Sequence, residues 1–124
     1  MADSGLQGRR VLIVEDETLI AMDLEDLLGR HGCTVLGPVP DVGRALALLE
    51  RELPDGALLD LNLDGHPAIP IAEALSARGV PFVVVTGYSR RQAPEPVLQG
   101  APRVAKPVVH DQLVRVLAET LDAR

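Results

Sequence analysis

Tryptophan is absent from the 124 residues, and phenylalanine and tyrosine occur once each, as Phe82 and Tyr88. A core without aromatic bulk has to be built from Leu, Val, Ile and Ala, and the 47% hydrophobic content is enough for one. A single cysteine, Cys33, excludes an intramolecular disulfide and fits a reducing cytoplasm. Its apolar setting reads as a small core side chain rather than a catalytic thiol. No apolar run approaches the roughly 20 residues that a membrane-spanning helix needs, and the opening "MADSGLQG" is too polar for a signal peptide. Basic residues are outnumbered, 12 against 18 acids for a net charge of −6. Their only doublets are Arg9-Arg10 and Arg90-Arg91, which read as solvated charges. Direct contact with nucleic acid, which needs a basic face, is disfavoured.

The length suits one domain, residues 1–124 with a core from about 9 to 121. What the chain does contain is alternation. "RRVLIVED" is a short β-branched run, a strand. Ile20, Leu24, Leu27 and Leu28 then share one helical face, with Asp23, Glu25 and Asp26 on the other, until the glycines of "GRHG". "CTVLGPV" is a second strand. After Asp41, a helix N-cap, Val42, Leu46, Leu49 and Leu53 form the next stripe, stopped by Pro54. "GALLD" is the third strand. Pro70 opens a helix with Ile71, Ala74 and Leu75 inward. "VPFVVVTG" and "RVAK" are the fourth and fifth strands. A last helix begins at His110 or Asp111 and turns Leu113, Val116, Leu117 and Leu121 inward.

Five β-α units with near-continuous apolar strands predict a parallel sheet covered on both faces. Right-handed crossovers make it a doubly wound α/β fold of the flavodoxin type, strand order 2-1-3-4-5. The fourth helix falls in "SRRQAPEPVLQGAP", where Pro94 and Pro96 leave room for one or two turns at most.

Ligands of such sheets gather at the carboxyl ends of the strands, near the switch in winding. Strand one ends in Glu15-Asp16. Strand three ends in Asp60, followed by Asn62 and Asp64. Strands four and five end in Thr86 and Lys106-Pro107. Strands one and three are neighbours, so Glu15, Asp16 and Asp60 converge. Two like charges about 4 Å apart repel by about 4 kcal/mol at an effective dielectric near 20. The cluster must therefore hold a proton or a cation, and all-oxygen ligands with room for water suit Mg²⁺. With a hydroxyl from Thr86 and a compact positive charge from Lys106, the set has the parts of a phosphoryl site: an Asp nucleophile, a metal, a donor and a cation. Each residue alone is an ordinary strand tip; four in the expected order are not.

"VLIVEDE", "LLDLNL", "VVVTGY" and "VAKP" resemble the receiver (CheY-like) domain of bacterial two-component response regulators, over roughly Arg9 to Leu121. "PFVVVTGY" with "LDLNLDG" resembles more narrowly the receiver variant called FAT GUY. The resemblance implies that Asp60 is the phospho-acceptor. Glu15 and Asp16 would hold Mg²⁺ together with Asp60 and the backbone carbonyl of Asn62. Thr86 would reorient toward the phosphoryl group and Lys106 would pair with it, its bond to Pro107 being cis. Implied partners are a sensor histidine kinase or phosphotransfer protein and an output protein, with a weak or phosphorylation-dependent dimer compatible with the class. Unless the chain is a fragment, the lack of a DNA-binding or catalytic segment after Leu121 leads to the expectation that the signal passes by protein contact, in the cytoplasm, without nucleic acid or membrane. The chain departs from the family where an aromatic switch residue is common: Arg103 stands there. Tyr88 matches a position that tunes phosphoryl lifetime. The usual relay from threonine to aromatic is then replaced, on this reading, by ordering of the "SRRQAPEPVLQGAP" segment.

Such a domain is no enzyme beyond its own phosphorylation and dephosphorylation. A rival reading is a haloacid-dehalogenase-like phosphatase, whose Asp-x-Asp-x-Thr loop "DLNLD" superficially echoes. Asn62 and Asp64 stand where that loop needs Asp and Thr, and the loop would follow the first strand. A degenerate receiver acting as a scaffold is the other alternative, and the full set of acids, Thr86 and Lys106 argues against it. A nucleotide-binding fold lacks its glycine-rich loop, since "EDETLI" follows strand one. His31, His66 and His110 are expected apart in loops or turns, at the surface, and form no metal site.

Overall fold

The structure is a computed structural model and describes residues 5–63, 65–87, 98 and 100–122, Asn62 by its backbone. Five parallel strands make the main sheet: β1 (Arg10–Val14), β2 (Thr34–Val39), β3 (Gly56–Asp60), β6 (Phe82–Thr86) and β7 (Arg103–Ala105), in the order β2-β1-β3-β6-β7. This is the predicted 2-1-3-4-5 arrangement. The helices are α1 (Thr18–Arg30), α2 (Val42–Arg51), α3 (Ile69–Ala77) and α4 (His110–Asp122). The fourth helix expected within "SRRQAPEPVLQGAP", with Pro94, Pro96 and Arg90-Arg91, lies largely outside the described residues, as do Asp64 and Tyr88. Leu98, from that segment, is buried in the core.

Side chains of a strand alternate between faces, and the core divides accordingly. Leu12, Val14, Ala57, Leu59 and Val84 pack with Leu48 and Leu49 of α2 and Ile71 and Leu75 of α3. Val11, Ile13, Leu58, Val83, Val85 and Val104 pack with Leu24 and Leu28 of α1 and Leu113, Leu117 and Leu121 of α4. β3 and β6 are buried at every residue, which is why both read as unbroken apolar runs. Each fully buried Leu or Val contributes about 1.5–3 kcal/mol relative to exposure.

The sequence misjudged some details. α2 is capped by Asp41, whose carboxylate accepts from the Arg44 amide at 2.8 Å, as expected. The helix ends at Arg51 and Glu52 is already extended, so Leu53 leaves the stripe and is 59% exposed. The buried face is Ala45, Leu48 and Leu49, with Leu46 only half-buried. In α4, Val114 and Ala118 are buried where Val116 is half-buried. A hairpin of β4 (Asn62–Leu63) and β5 (His66–Pro67) follows β3 and was not foreseen. Arg9 and Arg10 stay partly exposed, as expected of solvated charges, and each also makes an ion pair. Arg9 pairs with Asp122 at 3.2 Å, and Arg10 meets Glu52 while its amide donates to Asp55 at 2.8 Å. The Lys106-Pro107 bond is cis, as the resemblance implied, and so is Gly37-Pro38, which was not anticipated.

Candidate functional site

Glu15 and Asp16 follow β1 directly, Asp60 and Thr86 end β3 and β6, and Lys106 follows β7. Parallel pairing of β1 with β3, β3 with β6 and β6 with β7 brings these tips to one edge. The Lys106 amide donates to the Thr86 carbonyl at 3.0 Å, carrying the ladder to its last residue. Carboxylate oxygens of Glu15, Asp16 and Asp60 lie within 4.8 Å of one another, the one acidic, histidine or cysteine group of three so close among the described residues. Glu15, Asp60 and Thr86 are buried, at 2%, 7% and 1% exposure. They are the buried polar side chains of the described residues.

Lys106 Nζ is 3.1 Å from Glu15 Oε1, 3.2 Å from Oε2 and 3.4 Å from Asp60 Oδ2. The Glu17 amide donates to Glu15 Oε2 at 3.1 Å. Burial pushes the Glu15 carboxyl up to about 7 from its ordinary 4.5. The Asp60 charge adds to the rise, while the Glu17 amide and Lys106 oppose it. For Lys106, burial disfavours the ammonium, but the hydrogen bond from Nζ to Glu15 and the charges of Glu15, Asp60 and Glu17 outweigh it and hold the group above 10.5. One lysine thus faces a cluster of acids that it does not neutralise.

A divalent cation fits this cluster on a local observation. Glu15 Oε1 is buried without a hydrogen-bond partner. Lys106 makes a charge contact with it, but the directed bond goes to Oε2. An orphaned buried carboxylate oxygen is costly, and an oxygen-seeking metal would satisfy it together with Asp16 and Asp60.

The sequence foresaw these acids, Thr86 and Lys106, and the structure brings them together. Asn62 follows in β4, with only its backbone described. Glu17 was missed as a contributor, although "EDE" displays it, and so was Val39, whose carbonyl accepts from the Glu15 amide at 3.0 Å. His31 caps α1 and His66 is exposed in β5. His110 opens α4 instead of lying in a loop, with Nε2 2.9 Å from Asp23 Oδ2 of α1. Cys33 is half-buried, its thiol pushed up by burial, which suits no nucleophile.

Comparison with known proteins agrees with this geometry. The chain is 40% identical over 88 residues to the transcriptional regulatory protein PdtaR of Mycobacterium tuberculosis, a match covering 70% of this chain and 43% of that protein. It thus spans less than half the length of that curated relative. It superposes on the solution structure of SdrG from Sphingomonas melonis Fr1 with a TM-score of 0.79 and 41% identity, over 98% of this chain and 99% of SdrG. It is also similar to the receiver domain of the sensor histidine kinase PA1611 from Pseudomonas aeruginosa, at TM-score 0.80 and 26% identity over 93% of this chain and 98% of that one. That domain was crystallised with a magnesium ion coordinated in its active-site cleft. The sequence pattern described as "Response regulator receiver domain" matches residues 11–118. No described helix is long and apolar enough to cross a membrane. With its sheet order, its acidic edge and this match over most of its length, the chain belongs to the receiver-domain family of two-component response regulators.

Proposed function

We propose that Asp60 accepts a phosphoryl group from the phosphohistidine of a sensor histidine kinase or phosphotransfer protein. Glu15, Asp16, Asp60 and the backbone carbonyl of Asn62 would hold Mg²⁺. The observation that carries this reading is the pairing of a nearly buried Asp60 with two further acids within 4.8 Å and an ammonium at 3.4 Å. When bound, the metal supplies positive charge to the phosphoryl oxygens, the main demand of this transfer.

The residues divide the remaining work. An Asp60 carboxylate oxygen attacks phosphorus in line with the phosphohistidine nitrogen. The N–P bond breaks, its electron pair leaves with the imidazole, and the imidazole takes up a proton from solvent. The product is an aspartyl acyl phosphate, which water later cleaves to Asp60 and inorganic phosphate. The Thr86 hydroxyl and Lys106 meet the added charge from the ends of β6 and β7, the next two strands along the sheet. An ion pair exchanged from carboxylate to phosphoryl is the local event that biases a two-state surface.

The chain is thus no enzyme toward other substrates: it catalyses only its own phosphorylation and dephosphorylation. Its output is contact with a protein, in the cytoplasm where the phosphodonor is made, in keeping with the net charge of −6. Incubation with phosphoramidate and Mg²⁺, read by intact mass, tests this. One phosphoryl group is gained, and Asp60→Ala or chelation of the metal abolishes the gain. A gain that survives Asp60→Ala overturns the assignment, and turnover of a generic phosphomonoester would favour a phosphatase.

A further inference from the structure

β1 and β2 do not run in even register. Arg10, Val11 and Leu12 pair with Thr34, Val35 and Leu36, but Val14 pairs with Val39. Between these pairs β1 spends one residue, Ile13, and β2 spends two, Gly37 and Pro38. β2 is an edge strand, so a bulge and a proline are tolerated there. The extra residue brings the Val39 carbonyl to the Glu15 amide at 3.0 Å. This bond falls one residue past the end of β1, on the residue whose side chain is buried in the acid cluster.

Gly37 makes the bulge possible. Its φ is +88°, and a Cβ there would lie 2.7 Å from the Val39 nitrogen and 3.1 Å from the Ile13 carbonyl oxygen. Both are backbone atoms, one on each strand of the bulge, and neither can rotate away as a side chain could. Any other residue at 37 therefore pushes Val39 or Ile13, and with them the bond that holds Glu15.

We propose that the Gly37-Pro38 bulge is a positioning element of the acid cluster, fixing the Glu15 backbone so that its carboxylate points at Lys106 and the metal. This rests on the metal reading given above. Bulges beside functional sites commonly re-aim a side chain, and residues that orient a ligand from outside typically change metal affinity by about 10–100-fold. Gly37 and Pro38 touch no reacting atom; they act through Glu15 alone.

That dependence makes the test a double-mutant cycle, with Mg²⁺ affinity measured by titration calorimetry and folding followed by circular dichroism. Gly37→Ala should weaken Mg²⁺ binding by about ten-fold or more in the wild-type background and change it little in a Glu15→Gln background. Gly8→Ala is the control for backbone strain, since Gly8 has φ +79° with no atom within 4 Å of a Cβ. It should lower stability and leave affinity unmoved. Pro38→Gly keeps the extra residue while freeing its backbone, so it carries the same cycle, with a smaller loss, if Gly37→Ala does not fold. Equal losses in both Glu15 backgrounds, or no loss from either bulge variant, overturn the inference while leaving the metal site standing. A wild-type chain that does not bind Mg²⁺ overturns both.

Discussion

Lys106 reaches across the edge of the sheet to Glu15, its Nζ 3.1 Å from Oε1 and 3.2 Å from Oε2, nearer than its 3.4 Å approach to Asp60. The cation that would pair with a phosphoryl group at Asp60 is thus shared with a second acid. Lys106→Met removes it, and phosphoryl uptake should fall by about a hundred-fold, as when one preorganised charge donor is lost. A time course of intact mass with phosphoramidate and Mg²⁺ checks this. Uptake at the wild-type rate would show that Lys106 serves only Glu15.

Burial of Glu15 has a pH signature. Unfolded, its carboxyl loses its proton near 4.5; folded, near 7. Between these values the native state holds the proton and the unfolded chain does not, so metal-free stability from this group falls as pH rises. The stabilising effect of Lys106 is complete below 10.5 and is lost only above its raised folded value, outside that window. Denaturation midpoints of wild-type and Glu15→Gln protein, measured without metal from about pH 4.5 to 7, should therefore converge at the low end and separate at the high end, with the variant more stable. Protons also compete with metal, so Mg²⁺ affinity should rise with pH through about 7. Parallel curves for the two proteins would contradict this.

Thr86 is buried at the end of β6, level with Ala105 and bonded through its carbonyl to the Lys106 amide. Thr86→Ala keeps that backbone bond and removes the hydroxyl. Phosphoryl uptake should persist within a few-fold, while the amide chemical-shift changes that accompany it shrink in β7 and the start of α4. Full changes in the variant would remove Thr86 from the response.

Away from the edge, Asp41 caps α2 through its bond from the Arg44 amide. Asp41→Ala should cost about 1 kcal/mol in chemical denaturation and leave phosphoryl uptake unchanged. A loss of uptake would mean that α2 communicates with the site.

The sheet order was legible because β1, β3 and β6 are short apolar runs and α1 and α2 between the strands carry leucines at helical spacing. The site was legible because its acids, hydroxyl and ammonium stand at strand ends, where the fold gathers ligands. The inward face of α2 was partly misread because Ala45 carries too little bulk to register beside Leu46, and because Leu53 continues the spacing beyond the end of the helix. β4 and β5, at two residues each, are too short to show a period. The bulge in β2 is a property of two strands together. "GPV" reads as an ordinary strand end until Ile13 is set against Gly37 and Pro38. The interplay of Glu15 with Lys106 was equally hidden, since 91 residues separate them.

Trapping the phosphorylated chain decides most directly whether Asp60 is the nucleophile. Borohydride reduces an aspartyl phosphate to homoserine, which peptide mapping locates. After exposure to phosphoramidate with Mg²⁺, position 60 alone should be converted, and omission of the metal should prevent it. Conversion at Asp16 or another acid, or at none while the intact mass still rises, would contradict the account.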